Sequence, residues 1–318
     1  MRATLEPPIL AWLERALRGE PVIAAVRLGG GYINENTVIT TARGKYVLRR
    51  YRRGAESARR ICAVEAALAD RLSGTAVPIA DVIAADPAGS EAGEPLLLLR
   101  HMAGITLGAA IASDGGSAEQ IGQAAGRALA AIGAVSFECG GFFTGPDLVP
   151  SAAGMPGSLQ EFVETCLQAG HAGKVMAPEE LAGLRALAAD ESPLAGSVAS
   201  ARQLVHSDYN GKNLLVVRLR GQWSISAVLD WEFAFSGSPL TDIGNMLRFR
   251  DSYPPSLPNG FIAGYQEAGG ELPPDWPELS EALDLYALAD FLARPPGSPY
   301  FAKAVSRIRR RLARRGPS

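Results

Sequence analysis

Residues 203–232 read QLVHSDYNGKNLLVVRLRGQWSISAVLDWE, and no other stretch limits the possible folds so narrowly. Apolar, β-branched runs are broken by polar residues at fixed places. One strand ends at Val205 and a second starts at Leu214. A third, Trp223 to Leu229, has the length and the intervening Arg-Gly turn to fold back on the second as a hairpin. The loop between the first two strands holds His206, Ser207, Asp208 and Asn213, and the far end of the hairpin carries Asp230. Closing the hairpin brings the loop of Asp208 beside the end that carries Asp230, so that two carboxylates and an amide converge.

Such an oxygen donor set suits Mg²⁺, which prefers carboxylate, water and phosphate oxygens to nitrogen or sulfur. A metal–phosphate site implies phosphoryl transfer, a reaction that asks the protein for alignment and positive charge more than for covalent chemistry. On this reading Asn213 and Asp230 hold the magnesium. Asp208 either accepts the proton of an attacking hydroxyl or only orients that hydroxyl, and the sequence leaves both roles open.

Composition removes several other classes. The formal net charge of -2 over 318 residues, with 47% hydrophobic and 20% charged, favours neither nucleic acid nor a membrane surface as partner. The opening MRATLEPPILAWLERALRG carries Glu6 and Glu14 and lacks the apolar core of a secretory signal. Apolar runs such as Leu96 to Leu99 are too short for a bilayer, so a cytoplasmic protein is expected. Cys62, Cys139 and Cys166 show no paired spacing, and with three histidines neither disulfides nor structural zinc is expected. No Gly-x-Ser-x-Gly occurs, which removes a serine hydrolase of the nucleophile-elbow type.

Along the chain, 22–51 reads as strands separated by GGGY and ARG turns, a small antiparallel sheet. A helix follows to Leu72, with Ile61, Val64, Leu68 and Leu72 spaced by three and four residues. The run PLLLLRHM, 95–102, reads as further strand, and Met102-Ala103-Gly104 as the connector out of the sheet. We expect an N-terminal domain, 1–102, joined through a hinge at about 100–104 to a mainly helical domain, 103–318. In the latter, 117–135, 159–168 and 179–189 read as helix.

His-x-Asp, four residues, Asn, then a strand ending in Asp-Trp-Glu resembles the aminoglycoside phosphotransferase and choline kinase superfamily. The pattern fixes residue types and spacing from His206 to Glu232. GGGYINENTVITTARGKYVLRRY resembles the nucleotide-covering hairpin of that family, and SPLTDIGNMLRF its helix after the metal Asp, so the likeness spans about residues 22 to 290. It implies an α+β, protein-kinase-like fold of two lobes. The smaller lobe holds the antiparallel sheet and one helix, and the larger is mainly helical and carries the catalytic loop.

The resemblance also implies roles. Asp208 takes the catalytic position, Asn213 and Asp230 the metal positions, and His206 braces the loop. The family commonly has Gly where Ser207 stands, a change tolerated unless the loop needs a positive φ there. Arg49 stands where the family has its phosphate-binding Lys, with Glu65 on the next helix as its ion-pair partner. Gly30 and Gly31 fall in the phosphate-covering turn, a stretch that equally reads as a plain hairpin turn, and Arg100 and Met102 fall in the connector that meets the adenine. Glu232 either caps a neighbouring element or faces the acceptor. Asp242 reads as the cap of a helix starting at Ile243, and Trp231 as core.

The implied activity is a Mg²⁺-dependent transfer of the terminal phosphate of ATP, or GTP, to a hydroxyl of a small molecule. An antibiotic is the expected acceptor: an aminoglycoside, or another sugar-bearing or nucleoside antibiotic, inactivated to confer resistance. A metabolic kinase for a sugar, choline or homoserine is the alternative. Between Asp251 and Pro299 stand eight acids against Arg294 alone, which would attract a polycationic aminoglycoside. The plainer account is that this acidic face and the seven bases of Lys303 to Arg315 are solvated or pair with each other. From another class comes a non-catalytic nucleotide- or anion-binding module that docks through its basic tail. A monomer or homodimer is expected.

Overall fold

Thr37 and Ile39, two residues apart, are both fully buried, as a strand with one face on a core requires. They belong to an α+β protein whose computed structural model describes residues 4–29 and 34–315. Gly30 and Gly31, expected near a nucleotide, lie outside the described residues.

In chain order come helix α1 (Pro7–Ala16), strands β1 (Ala24–Arg27), β2 (Glu35–Thr40) and β3 (Lys45–Arg50), helix α2 (Ala55–Leu72), and strands β4 (Val82–Asp86), β5 (Leu96–Arg100) and β6 (Ile105–Thr106). Next are α3 (Leu107–Ser113), α4 (Ala118–Gly133), β7 (Gly141–Phe143), β8 (Pro150–Ser151), α5 (Leu159–Gln168), α6 (Pro178–Ser197) and β9 (Gln203–Val205). The chain continues through β10 (Leu214–Leu219), β11 (Gln222–Val228), β12 (Phe235–Gly237), α7 (Leu240–Leu247), α8 (Ser256–Glu267), α9 (Trp276–Ala293) and α10 (Phe301–Arg315). These elements form two compact units. The first is Met1–Asp114, Phe143–Pro150 and Gly211–Ala234; the second is Gly115–Phe142, Ser151–Asn210 and Phe235–Ser318.

In the first unit an antiparallel sheet runs in the order β1-β2-β3-β5-β4. Strand alternation splits β5 between two cores. Leu96 and Leu98 face a cluster with Ile9, Trp12 and Leu13 of α1, while Leu97 joins Tyr51 and the Ala58, Ile61 and Cys62 of α2. Each fully buried leucine contributes about 1.5–3 kcal/mol relative to exposure, so helices on both faces fix the register of the sheet. The 214–228 hairpin, paired to β6, completes the unit.

In the second unit Leu159 and Val163 of α5, Leu184 and Leu187 of α6, Leu285, Leu288 and Leu292 of α9, and Phe301, Val305 and Ile308 of α10 form one core. Helices α4 and α8 cross with backbones nearly touching. A Cβ at Gly126 would lie 2.1 Å from the Phe261 carbonyl oxygen, and one at Gly264 would lie 2.2 Å from that of Gln123. Only glycine permits this approach. Short strand β12 pairs with both β7 and β9, setting Phe235 opposite Phe142 and Val205. Among the described residues no helix is long and apolar enough to cross a membrane.

The terminal basic helix is not a free cationic face. Arg309 pairs with Glu180 at 2.6 Å, Arg311 with Glu191 at 2.6 Å, Arg315 with Asp190 at 2.8 Å and Arg307 with Glu281 at 3.1 Å. Likewise, of the acids 251–290, Asp251, Glu267, Glu281, Asp284 and Asp290 all pair with arginines. Of that segment, Asp251 and Glu281 pair with arginines of α10 itself. The packing of α10 on α6 and α9 brings opposite charges together.

Candidate active site

In the first unit a polar network is built on the last residues of β3. Arg49 is 6% exposed. Its guanidinium lies 3.2 Å from Glu65 of α2, pairs directly with Asp230, and comes within 3.8 Å of Glu232. Burial works against its charge, but Glu65 and Asp230 overcome that and hold its pKa above the ordinary value. Burial also pushes the Glu65 carboxyl up to about 7, against the pull of Arg49. Tyr51 donates its hydroxyl to Glu65, and the Arg49 guanidinium sits 5.5 Å from the Tyr51 ring. The neighbouring Arg50 turns to the other face of the strand, to Glu6 and Glu94.

The hairpin positions the acidic side. The Leu229 N–H donates to the Asn213 carbonyl at 2.8 Å, so Asn213, just before β10, and Asp230, just after β11, stand at one end of the hairpin. Asp230 has φ +69, a left-handed conformation that Asp tolerates better than most residues and that turns the chain sharply out of β11. Trp231 is buried and donates its indole N–H to the Val228 carbonyl at 2.9 Å. Glu232 accepts from Asn34 at 2.7 Å and from Arg53 at 3.2 Å, with its side chain only 6% exposed. Both its oxygens are engaged inside the Arg49 network. Arg100 pairs with Asp81 at 2.9 Å on the surface, and the following residue, His101, donates its N–H to the Lys45 carbonyl, which ends the sheet just before Met102.

In the second unit the loop after β9 carries His206 and Asp208, and its scaffold is a residue the sequence did not single out for this. Asp242 is not the cap of a helix starting at Ile243. Helix α7 starts at Leu240, and the Asp242 carboxylate turns away to accept the N–H of His206 at 2.7 Å and that of Ser207 at 2.8 Å. Burial pushes this carboxyl up to about 7, while the two N–H donors pull it down. Asn245, one turn further on, donates to the Ser207 carbonyl at 3.0 Å. Ser207 has φ +70, so the loop does need the left-handed conformation that glycine would supply at no steric cost. Asp242 and Asn245 hold both peptide groups of that residue and so stabilise it there. The Asp208 N–H donates to His206 Nδ1 at 3.2 Å, and Asn210 donates to the Asp208 carboxylate at 2.7 Å, which fixes the side chain of Asp208. Tyr209 anchors the loop from below, donating to the Ala125 carbonyl of α4 at 2.7 Å.

Arg49, Glu65, Asp230 and Glu232 are thus brought together within one unit, and His206 and Asp208 with Asp242 within the other. The donors of Asn213 and Asp230, an amide and a carboxylate, fit a divalent cation that completes its shell with phosphate and water. Among the described residues no group of three or more His, Cys, Asp or Glu could hold a metal ion by itself.

A small antiparallel sheet backed by one long helix, a buried cation–carboxylate pair between them, and a His-x-Asp loop on a helical unit define the protein-kinase-like class of phosphotransferases. The chain belongs to the phosphotransferase enzyme family, whose sequence profile it matches over residues 24–282. It is accordingly a small-molecule kinase with an alcohol group as acceptor. No curated protein sequence matches it. Among solved structures it is similar to aminoglycoside phosphotransferase APH(4)-Ia, at 18% identity and a TM-score of 0.70 over 98% of this chain and 99% of that one. A thermostable mutant of that enzyme, in ternary complex with AMP-PNP and hygromycin B, matches with the same identity, TM-score and coverage of both chains. Macrolide 2'-phosphotransferase MphH from Brachybacterium faecium matches at 21% identity and a TM-score of 0.58, over 97% of this chain and 99% of that one.

Proposed function

We propose that the protein transfers the terminal phosphate of a Mg²⁺-bound nucleotide, ATP or GTP, to a hydroxyl of an antibiotic. In this reading residues 1–102 hold the nucleotide, with Arg49 as the phosphate-binding cation, and residues 103–318 hold the acceptor. Asn213 and Asp230 would hold the magnesium, which when bound supplies charge neutralisation at the transferring phosphoryl group. Arg49 pairs with Glu65 and Asp230; with Asp230 engaged by a cation, Arg49 would turn its guanidinium to phosphate while Glu65 kept it in place. Asp208 receives the acceptor hydroxyl, orienting it and taking its proton as its oxygen bonds the terminal phosphorus and the bond from that phosphorus to the departing nucleoside diphosphate breaks.

What carries the reading is the family match over 24–282 together with the placement of Asn213 and Asp230 at one end of a hairpin. The relatives in solved structures include an enzyme complexed with hygromycin B and a macrolide phosphotransferase, which supports an antibiotic acceptor. The test is nucleotide turnover by the purified protein with Mg²⁺, screened against aminoglycosides, macrolides, nucleoside antibiotics, sugars and amino alcohols. Acceptor-stimulated turnover by an aminoglycoside, a macrolide or a nucleoside antibiotic is expected. Turnover only with a metabolic sugar or amino alcohol would move the acceptor to the metabolic class, and none with any member would overturn the assignment.

A further inference from the structure

Asp208 follows Ser207, which sits at φ +70, a conformation that a residue with a Cβ resists. The two peptide groups of Ser207 are held from α7, where Asp242 accepts the N–H at 2.8 Å and Asn245 donates to the carbonyl at 3.0 Å. Asn245 is itself held. It is buried, and its side-chain oxygen accepts from Nη2 of Arg248, the residue that caps the C-terminus of α7. An amide has an acceptor end and a donor end, whereas a guanidinium only donates. With its oxygen on Arg248, the amide keeps its NH₂ group for the Ser207 carbonyl and for the Asp242 carboxylate, whose pKa it helps to pull down.

Arg248 is fixed in turn from α9. Its Nε donates to Asp284 at 2.7 Å, the two side chains being 6% and 5% exposed, and its guanidinium lies 5.4 Å from the centre of the Phe291 ring. Burial pushes the Asp284 carboxyl up, and the charge of Arg248 pulls it back part of the way. The planar fork meets two acceptors at once, one on each helix; Lys, with a single nitrogen, has no such fork. A buried ion pair often stabilises a fold no better than apolar residues of like volume, so its guanidinium has a second task here. A chain of hydrogen bonds runs from Asp284 through Arg248 and Asn245 to the Ser207 carbonyl.

We propose that Arg248, set by Asp284, is a positioning residue for Asp208: it fixes the Asn245 amide that keeps Ser207 left-handed, and so fixes the direction in which the next residue leaves the loop. What that placement does for turnover rests on the phosphotransfer reading of Asp208; the hold on the loop does not.

The experiment compares the full-length parent, Ser207→Gly, the double variant Arg248→Met, Asp284→Leu, and the triple variant that adds Ser207→Gly to the double. Removing both charges together leaves no unpaired ion in the core, so the double variant should fold. Two readouts are taken: hydrogen exchange of the backbone over residues 204–210, and steady-state phosphotransfer with the acceptor found by screening. In the double variant exchange of that segment should quicken by about ten-fold, and kcat should fall by about ten-fold with nucleotide KM unchanged. Glycine takes a left-handed φ at no steric cost, so the triple variant should stay within about three-fold of Ser207→Gly in both readouts. A loss of general packing would show equally in both backgrounds. Should the double variant not fold, Arg248→Lys, which keeps a charge for Asp284 without the fork, carries the test with the same rescue. Exchange and kcat equal to the parent's in the double variant overturn the proposal, and so does a loss that Ser207→Gly fails to rescue. Exchange that quickens and is rescued while kcat stays constant upholds the hold on the loop and overturns instead the assignment of Asp208 to phosphotransfer. If the parent turns over no acceptor, the exchange alone decides.

Discussion

Replacing Asp242 by Asn tests how the Asp208 loop is held. The carboxylate is fully buried and accepts two backbone N–H bonds, from His206 at 2.7 Å and Ser207 at 2.8 Å. Its pKa is raised to about 7, so at pH 8 it is ionised and both bonds are charge-assisted. Asn keeps one oxygen and turns an NH₂ group toward the other donor. One bond then drops from charged to neutral, a loss of ~1 kcal/mol, and one N–H is orphaned at ~1–3 kcal/mol. Relief from burying a charge offsets part of this, which leaves a net destabilisation of about 1–3 kcal/mol. At ~2–4 °C per kcal/mol for a large domain, Tm should fall by about 2–12 °C. Ser207 stays at φ +70 only because its peptide groups are held, so the loop should relax toward ordinary backbone and carry Asp208 with it. A misplacement worth about 1.4–2.7 kcal/mol of transition-state stabilisation lowers kcat by about 10–100-fold. Differential scanning fluorimetry at pH 8 and coupled ADP release with the acceptor identified by screening read the two effects. If Tm stayed within about 1 °C and kcat within about two-fold of the parent, the idea that Asp242 sets the loop would be wrong.

Asp208→Ala should lower kcat by ~10²–10⁴-fold with nucleotide KM nearly unchanged, measured by steady-state phosphotransfer; a changed KM with intact kcat would contradict the assigned role. Ser207→Gly should stabilise the fold by ~0.5–1 kcal/mol, because the left-handed conformation costs an L-residue ~1–2 kcal/mol and glycine returns ~0.5–1 of that as chain entropy; the urea midpoint checks it. Gly126→Ala places a Cβ 2.1 Å from a backbone carbonyl oxygen and should cost ~1–3 kcal/mol or more, seen as a lower urea midpoint. The folded-state pKa of Glu65 is raised from the ordinary 4.5 to about 7. The stability linked to its proton is therefore fully present below 4.5 and lost as pH rises through about 7. The gap in unfolding free energy between the parent and Glu65→Gln should narrow from pH 5 to pH 8, and a gap that widened would reverse the sign of the argument.

Much of the first unit was legible locally. Thr37 and Ile39 alternate with more accessible neighbours, and Ile61, Val64, Leu68 and Leu72 recur at helical spacing, so strand and helix follow from residues within a few positions of each other. Helix α1 and strand β4 were not read from the sequence. The first of these follows a Pro-Pro pair at its N-terminus, and its Ile9, Trp12 and Leu13 show their purpose only against the sheet. Strand β4 is short, with three of its five residues half-buried, and announces itself by pairing with β5.

The chemistry-bearing side chains are another matter. Which residue types stand in the loop and at the hairpin ends is a property of the chain order: His206, Asp208, Asn213 and Asp230 keep their spacing however the molecule packs, and that spacing was enough to indicate phosphoryl transfer. What holds them is set by contacts between residues far apart in sequence. Arg49 reaches Asp230 across 181 positions, and Asp242 reaches back 36 residues to the His206 N–H. The fate of the basic C-terminal segment belongs here too, since its arginines find Glu180 and Glu191 of α6 and Glu281 of α9 only when α10 packs on those helices. Spacing and residue type are local quantities, written in the order of the chain. Pairing, burial and a left-handed φ at Ser207 depend on which distant groups arrive at the same place, and only folding decides that.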